Sequence, residues 1–246
     1  MRRFFVPTIP DQQDTIVVTG SEARHIAAVV RLGINDSLVL FDRDGNQCEG
    51  TIIDRAPGTV TVRIRGRTKR PGNDAVEIVL AQAVTKGKKM DSIVQKSTEL
   101  GVSTVIPFFC TRCIPRWGPD KARERVRHWQ AVVTASVKQS GVRKVPEVRN
   151  LMRFSELMKH DFNGFLKLFF WEHEKDVGLK SIIASRSIPP QVVIVVGPEG
   201  GFTQEEGLSA TQHGFIAAGL GNSILRTETV AIAVLSILRY ETGCLG

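Results

Sequence analysis

The run Val192-Val193-Ile194-Val195-Val196-Gly197-Pro198-Glu199-Gly200-Gly201-Phe202-Thr203 carries the strongest chemical signal in the chain. A continuous apolar run of this kind is typical of a buried parallel strand. It feeds a turn with glycine at 197, 200 and 201. A plain strand-to-helix turn needs one glycine, whereas three let a ligand approach the backbone closely. In open α/β sheets ligands bind beyond the carboxyl ends of the strands. Thr203 is placed to cap a helix that opens with Glu205 and Glu206. The turn has no lysine and contains Glu199, so it is neither a Walker loop nor a GxGxxG dinucleotide turn. It suits a neutral or cationic ligand held by backbone groups.

A second segment follows, Leu220-Gly221-Asn222-Ser223-Ile224-Leu225-Arg226-Thr227-Glu228-Thr229. Gly219, Gly221 and Asn222 make a loop, and Thr227 is placed to cap the last helix with Glu228 and Thr229 in the first turn. Arg226 is either a salt-bridged structural residue or a cation presented to a ligand. Cys110-Thr111-Arg112-Cys113 has CxxC spacing, but no second pair and no His pair stands at ligand spacing. No metal is therefore expected, and with Cys48 and Cys244 the four cysteines read as reduced thiols.

The elements that must position these residues change character along the chain. Residues 1–72 are rich in short Val, Ile and Thr runs, with turn chemistry at Asp42–Asn46 and one helix beginning near Ser21. This predicts a small β-barrel with a helix. Thr61–Arg67 alternates apolar and basic residues, which sends Arg63, Arg65 and Arg67 to one exposed face. Lys69–Asp74 reads as a linker. Residues 73–246 alternate strands and helices, predicting an α/β domain with a parallel sheet covered on both faces. A helix is expected over Lys86–Leu100 and ended by Gly101, a long basic helix over Asp120–Gln139, and a closing apolar helix over Glu228–Glu241.

The chain has 246 residues, 42% of them hydrophobic and 24% charged, which excludes a disordered tail or a coiled coil. The net charge is +8. Residues 112–149 hold ten basic and three acidic side chains, residues 1–72 eleven and eight, and residues 150–246 eight and ten. Clustering of this kind is a footprint of nucleic-acid binding, with a solvated helix face as the plain alternative. No signal core and no long apolar run is present, so no membrane span is expected and a cytoplasmic protein is.

Gly197-Pro198-Glu199-Gly200-Gly201, then Leu220-Gly221, then Ile224-Leu225-Arg226-Thr227-Glu228-Thr229 resembles the SPOUT class of RNA methyltransferases. Within it the chain is similar to the family that methylates N3 of a uridine in small-subunit (16S) ribosomal RNA. Met1–Val6 and the His25–Arg31 helix resemble that family's PUA-like RNA-binding domain. Gln95–Val102 with Pro107, then Trp129, Gln139-Ser140 and Pro146 resemble its catalytic domain. Two positions depart from the pattern. Val230 stands where the family usually has Ala, and the arginine after Gln139-Ser140 is displaced by one, to Arg143.

The resemblance implies a C-terminal domain with a trefoil knot and S-adenosylmethionine as cofactor. It also implies a homodimer acting on 16S rRNA or the assembled small subunit, without metal or membrane. Gly197, Pro198, Glu199, Gly200, Gly201, Leu220, Gly221, Ile224, Leu225, Arg226, Thr227, Glu228 and Thr229 would line the cofactor site. Uridine N3 carries a proton at neutral pH, so a base must take it or a cation must stabilise the developing anion. Arg226 is the candidate for stabilisation. Glu228 is the candidate base, with a carboxylate favouring the helix dipole as its plain reading. RNA would meet Arg2, Arg3, His25, Arg31, Arg63, Arg65 and Arg67 in the barrel. In the basic middle segment it would meet Arg112, Arg116, Arg123, Arg125, Arg127, Lys138, Arg143 and Lys144. His25 is equally readable as a packed helix residue. Two other readings stay open: a related enzyme acting on a different RNA, and a non-catalytic RNA-binding protein. The latter would not need the glycine turn.

Overall fold

In the computed structural model residues 1–69, 76–140, 142 and 144–245 are described. The expected boundary after residue 72 and the candidate Arg143 lie outside them. The chain groups into two compact units, residues 1–72 with 134–145, and residues 73–133 with 146–246.

The first unit is a five-stranded sheet in the order β1-β3-β4-β5-β2. Its strands are β1 (Arg3–Phe5), β2 (Thr15–Thr19), β3 (Ser37–Phe41), β4 (Asn46–Ala56) and β5 (Thr59–Lys69). Alternation sets its inner face. Ile16, Val18, Leu38, Leu40, Ile52, Val60 and Val62 are buried together with Phe4 and Ile26. The buried Asp42 carboxylate accepts from the Ile9, Asp44 and Asn46 N–H groups and fixes the turn between β3 and β4. Helix α1 (Gly20–Arg24) starts after Thr19, which holds the N-cap position without a side-chain hydrogen bond. It continues as a π-turn over His25–Val29, and Arg31 ends it in the left-handed region, at φ 59°.

The alternation expected for Arg63, Arg65 and Arg67 breaks at Arg65. Gly66 pairs with Glu49 and Ile64 with Gly50, so Arg65 is an extra residue, a bulge. Arg67 is thereby turned to the face of its partner, the buried Cys48. Its guanidinium then reaches the Pro10 and Gln13 carbonyls, the first at 2.6 Å. Arg63, Arg65 and Arg67 are all exposed as expected, but only Arg67 is tied down in this way. Arg67→Ala should therefore lower the melting temperature through the loss of about 1–2 kcal/mol. Arg63→Ala with Arg65→Ala should leave melting unchanged and weaken RNA binding, with a shallower salt dependence. Thermal scans and salt-titrated filter binding separate the two; the same melting loss in both variants would contradict the assignment.

The second unit holds a parallel sheet in the order β12-β10-β11-β6-β7-β8, with β9 also beside β7. These strands are β6 (Glu77–Ala83), β7 (Thr104–Phe109), β8 (Glu147–Val148), β9 (Met152–Arg153), β10 (Leu166–Phe170), β11 (Gln191–Val196) and β12 (Ile216–Ala218). Its helices are α2 (Lys89–Glu99), α3 (Pro119–Ser140), α4 (Phe154–Met158), α5 (Leu179–Ala184), α6 (Gln204–Gln212) and α7 (Thr227–Glu241). One sheet face buries Val79, Ala81, Phe108, Phe169, Val193 and Val195 with Phe154 of α4 and Phe202. Helix α7 packs on β6, β11 and α2. Both faces are thus covered, which is why the middles of β6 and β11 read as continuous apolar runs. The end of α3, from Thr134 on, groups with the first unit.

Candidate active site

All strands of this sheet run parallel, so the loops after β6, β7, β10, β11 and β12 leave from one edge. The glycine turn lies between β11 and α6. Thr203 caps α6 as expected, in a reciprocal box with Glu206. The Gly201 N–H closes the turn onto the Pro198 carbonyl at 3.0 Å. Gly201 sits at φ +66°, and a Cβ there would run into the Glu172 carboxylate. Gly197 and Pro198 are buried. The Gly200 carbonyl accepts from Arg112 Nη1 at 2.9 Å. Arg112, expected on RNA, is engaged in holding this loop.

Glu199 meets two groups that sequence reading passed over. Its Oε1 lies 3.1 Å from Lys89 Nζ and accepts from the Lys86 N–H at 3.2 Å. Burial pushes its carboxyl up. Hydrogen bonds from its own backbone, Lys89 and Lys86 outweigh that and hold it below the usual carboxylate range. Its ion pair is therefore present above about pH 4.3 and is lost only as pH falls below that value. Lys89 Nζ also stands 4.0 Å from Glu228 Oε2. The glutamate turn thus contains no lysine of its own but borrows one from α2.

The second motif meets the first through Thr227. Thr227 does not cap α7: Arg226 holds the N-cap position, without a side-chain hydrogen bond. The buried Thr227 hydroxyl donates instead to the Gly197 carbonyl at 2.5 Å. It accepts from Gln82 Nε2 at 3.1 Å. Gln82, the last residue but one of β6, is fully buried and also donates to the Gly197 carbonyl at 3.3 Å. A lone amide in an apolar strand was its signal in the sequence. Gly219 donates to the Val177 carbonyl and accepts from the Leu179 N–H, so the chain after β12 is laced against the 171–179 loop. A Cβ on Gly219 would stand 2.5 Å from the Glu174 carbonyl oxygen. The two Gly219 hydrogen bonds make a parallel bridge between Gly178 and Gly219. Leu220 and Leu225 are half-buried, whereas Gly221, Arg226, Thr229 and above all Ile224, at 86% exposure, are open. Val230, at the departure from the family pattern, is half-buried and continues the helix through its N–H to the Arg226 carbonyl.

Three buried polar atoms make no hydrogen bond here: Gln82 Oε1, Thr85 Oγ1 and Glu228 Oε2. Buried acceptors without donors are costly and mark places for a polar ligand. Backbone approach at the glycines, orphaned acceptors and exposed Ile224 fit an amphiphile with amine donors. The described residues include no group of three His, Cys, Asp or Glu side chains able to hold a metal.

The remaining basic candidates divide. Arg3 lies over the Phe41 ring at 4.9 Å, Lys138 pairs with Glu22, and Arg2 reaches the Val30 carbonyl. His25 packs edge-on against Phe4, the packed alternative. Arg125 lies over Trp117 and Trp129 and 3.7 Å from Asp91, and Arg123 pairs with Asp120. Arg127 bonds back to the Arg123 carbonyl. Arg31, Arg116 and Lys144 are exposed.

Comparison with known proteins bears on this geometry. An RNA methyltransferase domain model matches residues 72–239, and an RNA methyltransferase PUA domain model matches residues 18–65. Ribosomal RNA small subunit methyltransferase E of Bacillus subtilis is 29% identical over 100% of this chain and 98% of its own length. The Rickettsia conorii protein of that name is 30% identical over 87% of this chain and 85% of its own. The crystal structure of the Neisseria gonorrhoeae protein of that name, bound to S-adenosylmethionine, superposes with a TM-score of 0.89. It is 30% identical and covers 98% of this chain and 97% of its own. With a PUA-like curled sheet, a SPOUT-type parallel sheet and matches over nearly its whole length, the chain belongs to the RNA methyltransferase family whose relatives are called ribosomal RNA small subunit methyltransferase E.

Proposed function

We propose that the protein transfers a methyl group from S-adenosylmethionine to N3 of a uridine in 16S rRNA. The observation that carries this reading is the convergence of the Gly197–Gly201 turn with the Arg226–Thr229 segment through Thr227, around orphaned buried acceptors. Residues 197–201, Leu220, Gly221, Ile224, Leu225 and the start of α7 would hold the cofactor. When bound, it supplies an electrophilic methyl on a sulfonium sulfur, so no protein nucleophile is needed. What the chain supplies is position and charge.

Arg226 stands at the N-cap of α7 and its neighbour Thr227 is pinned in the core. A pinned backbone with an open guanidinium presents positive charge to the uracil oxygens as N3 loses its proton. Glu228, with one buried oxygen free of hydrogen bonds, accepts that proton. Arg63, Arg65, Arg31, Arg116, Lys144 and the basic face of α3 hold the RNA backbone, and the PUA-like unit carries the first of these.

The active form in this reading is a cytoplasmic homodimer. Its support is the resemblance together with exposed Ile224, Leu208, Ile237 and Tyr240 in the second unit. The described residues include no helix long and apolar enough to cross a membrane.

The test is transfer of labelled methyl from S-adenosylmethionine to naked 16S rRNA and to assembled small subunits. Label is expected in one of them. Glu228→Gln should slow transfer by about 100-fold or more, with a much smaller loss of cofactor affinity. Absence of label from both RNAs would sink the reading. Label on a ribose oxygen or on another RNA would favour the related-enzyme alternative.

A further inference from the structure

After Phe109 the chain leaves β7 and turns back over Cys110-Thr111-Arg112-Cys113. The Cys113 N–H donates to the Cys110 carbonyl at 3.2 Å, closing a four-residue turn. Such a turn brings its end Cα atoms within about 7 Å. A disulfide needs about 4.4–6.8 Å between them. The two sulfurs already lie 3.4 Å apart, and the Cys110 N–H donates to Cys113 Sγ at 3.3 Å. Both thiols are buried, yet both line an open cavity of about 600 Å³ with Phe109, Trp117 and Arg153. A small oxidant can therefore reach them. Cys48 lies in the core of the first unit and Cys244 is exposed at the chain end.

The two residues between the sulfurs hold the glycine turn. The Thr111 N–H and hydroxyl donate to Glu206 Oε1 at 2.8 and 2.9 Å. Glu206 Oε2 in turn accepts from the Thr203 N–H at 3.0 Å. Arg112 Nη1 donates to the Gly200 carbonyl at 2.9 Å. Closing the sulfurs to about 2.0 Å must draw the turn inward and move both clamps. We propose that Cys110 and Cys113 form a reversible disulfide whose closure loosens the Thr111 and Arg112 clamps and weakens cofactor binding. The second half rests on the Gly197–Gly201 turn being the cofactor site; the first half does not.

Hydrogen peroxide is the oxidant class. The Cys113 thiolate attacks a peroxide oxygen, the O–O bond breaks, and hydroxide leaves a sulfenic acid on Cys113. Cys110 sulfur then attacks the sulfenic sulfur. The S–S bond forms, and the departing hydroxide takes the Cys110 proton as water. In sum, two thiols and one peroxide give one disulfide and two waters. A dithiol reverses the bond by exchange. Cys113 is the nucleophile. The hydrogen bond with the Cys110 thiol, against the opposing effect of burial, holds Cys113 below the usual thiol range. The same bond together with burial pushes Cys110 up.

The test uses the full chain carrying Cys244→Ser, which removes the exposed thiol. After peroxide treatment, denaturation and alkylation, mass spectrometry should show the loss of two hydrogens and two fewer alkylated sites. It should also show a Cys110–Cys113 linkage that dithiothreitol removes. Calorimetry with S-adenosylmethionine should show affinity about tenfold weaker in the oxidised protein, the worth of one charged hydrogen bond, and full recovery on reduction. Cys110→Ala with Cys113→Ala should give a protein whose affinity peroxide does not move. Thiols that stay free, or that proceed to sulfinic acid without linkage, overturn the disulfide. A linkage formed at unchanged affinity overturns the clamp. If the reduced protein binds no S-adenosylmethionine, the cofactor reading and the clamp fail together, and the mass measurement still decides the disulfide.

Discussion

Gly201→Val should abolish S-adenosylmethionine binding, weakening it by about 100-fold or more, while RNA affinity is retained. Two costs fall on that position together. Its φ of +66° is left-handed, where a β-branched residue is a genuine outlier. Its Cβ would also occupy the place of the Glu172 carboxylate, so either Glu172 or the turn must move. Strain of this kind is worth about 1–3 kcal/mol before the clash is counted. Gly200→Val is the milder companion. Its φ is not left-handed, and its Cβ would lie 3.3 Å from Arg112 Cβ, a tight contact that the backbone at Arg112 must relieve by a shift of a few tenths of an ångström. It should block the site by bulk and by disturbing the Arg112 hold on the Gly200 carbonyl. Calorimetry with the cofactor, thermal scans and RNA filter binding on the two variants read these effects separately. Wild-type cofactor affinity in Gly201→Val would remove this loop from the site.

The second large effect is on turnover. Arg226→Ala should lower kcat by about 10²–10³, the usual cost of removing one preorganised charge stabiliser. Cofactor affinity should move much less, because the backbone at 226 is set by Thr227 and the helix start rather than by the guanidinium. Arg226→Lys should recover part of the rate, since it restores the charge without the fork geometry. Single-turnover methyl transfer at saturating cofactor separates kcat from binding. An equal loss in kcat and in cofactor affinity would reduce Arg226 to a binding residue.

What the sequence made legible was local. The glycine turn, the Thr203 cap, the buried run of β11 and the end of α2 at Gly101 depend on neighbours within a few residues, and all stand where their residue types put them. Lys89 carried no signal of its own, and Gln82 only that of an amide in an apolar strand. Their roles follow from β6 lying beside β11, a pairing across more than a hundred residues. Arg67 shows the opposite failure. Its alternation was correct in period, but one bulged residue at Arg65 reverses a face and leaves no mark in composition. Thr227 was read as a cap because Thr at a helix start favours that role. The nearer demand was the Gly197 carbonyl, which only the folded chain brings within reach. The knot came from resemblance alone. No periodicity encodes it.

The most direct test of the central claim is mass mapping of 16S rRNA from cells that lack this protein, with and without complementation. One uridine should lose its N3 methyl group in the absence of the protein, regain it with the wild-type chain, and not regain it with Gly201→Val or Arg226→Ala. An N3-methyluridine pattern identical in all of these cells would contradict that claim.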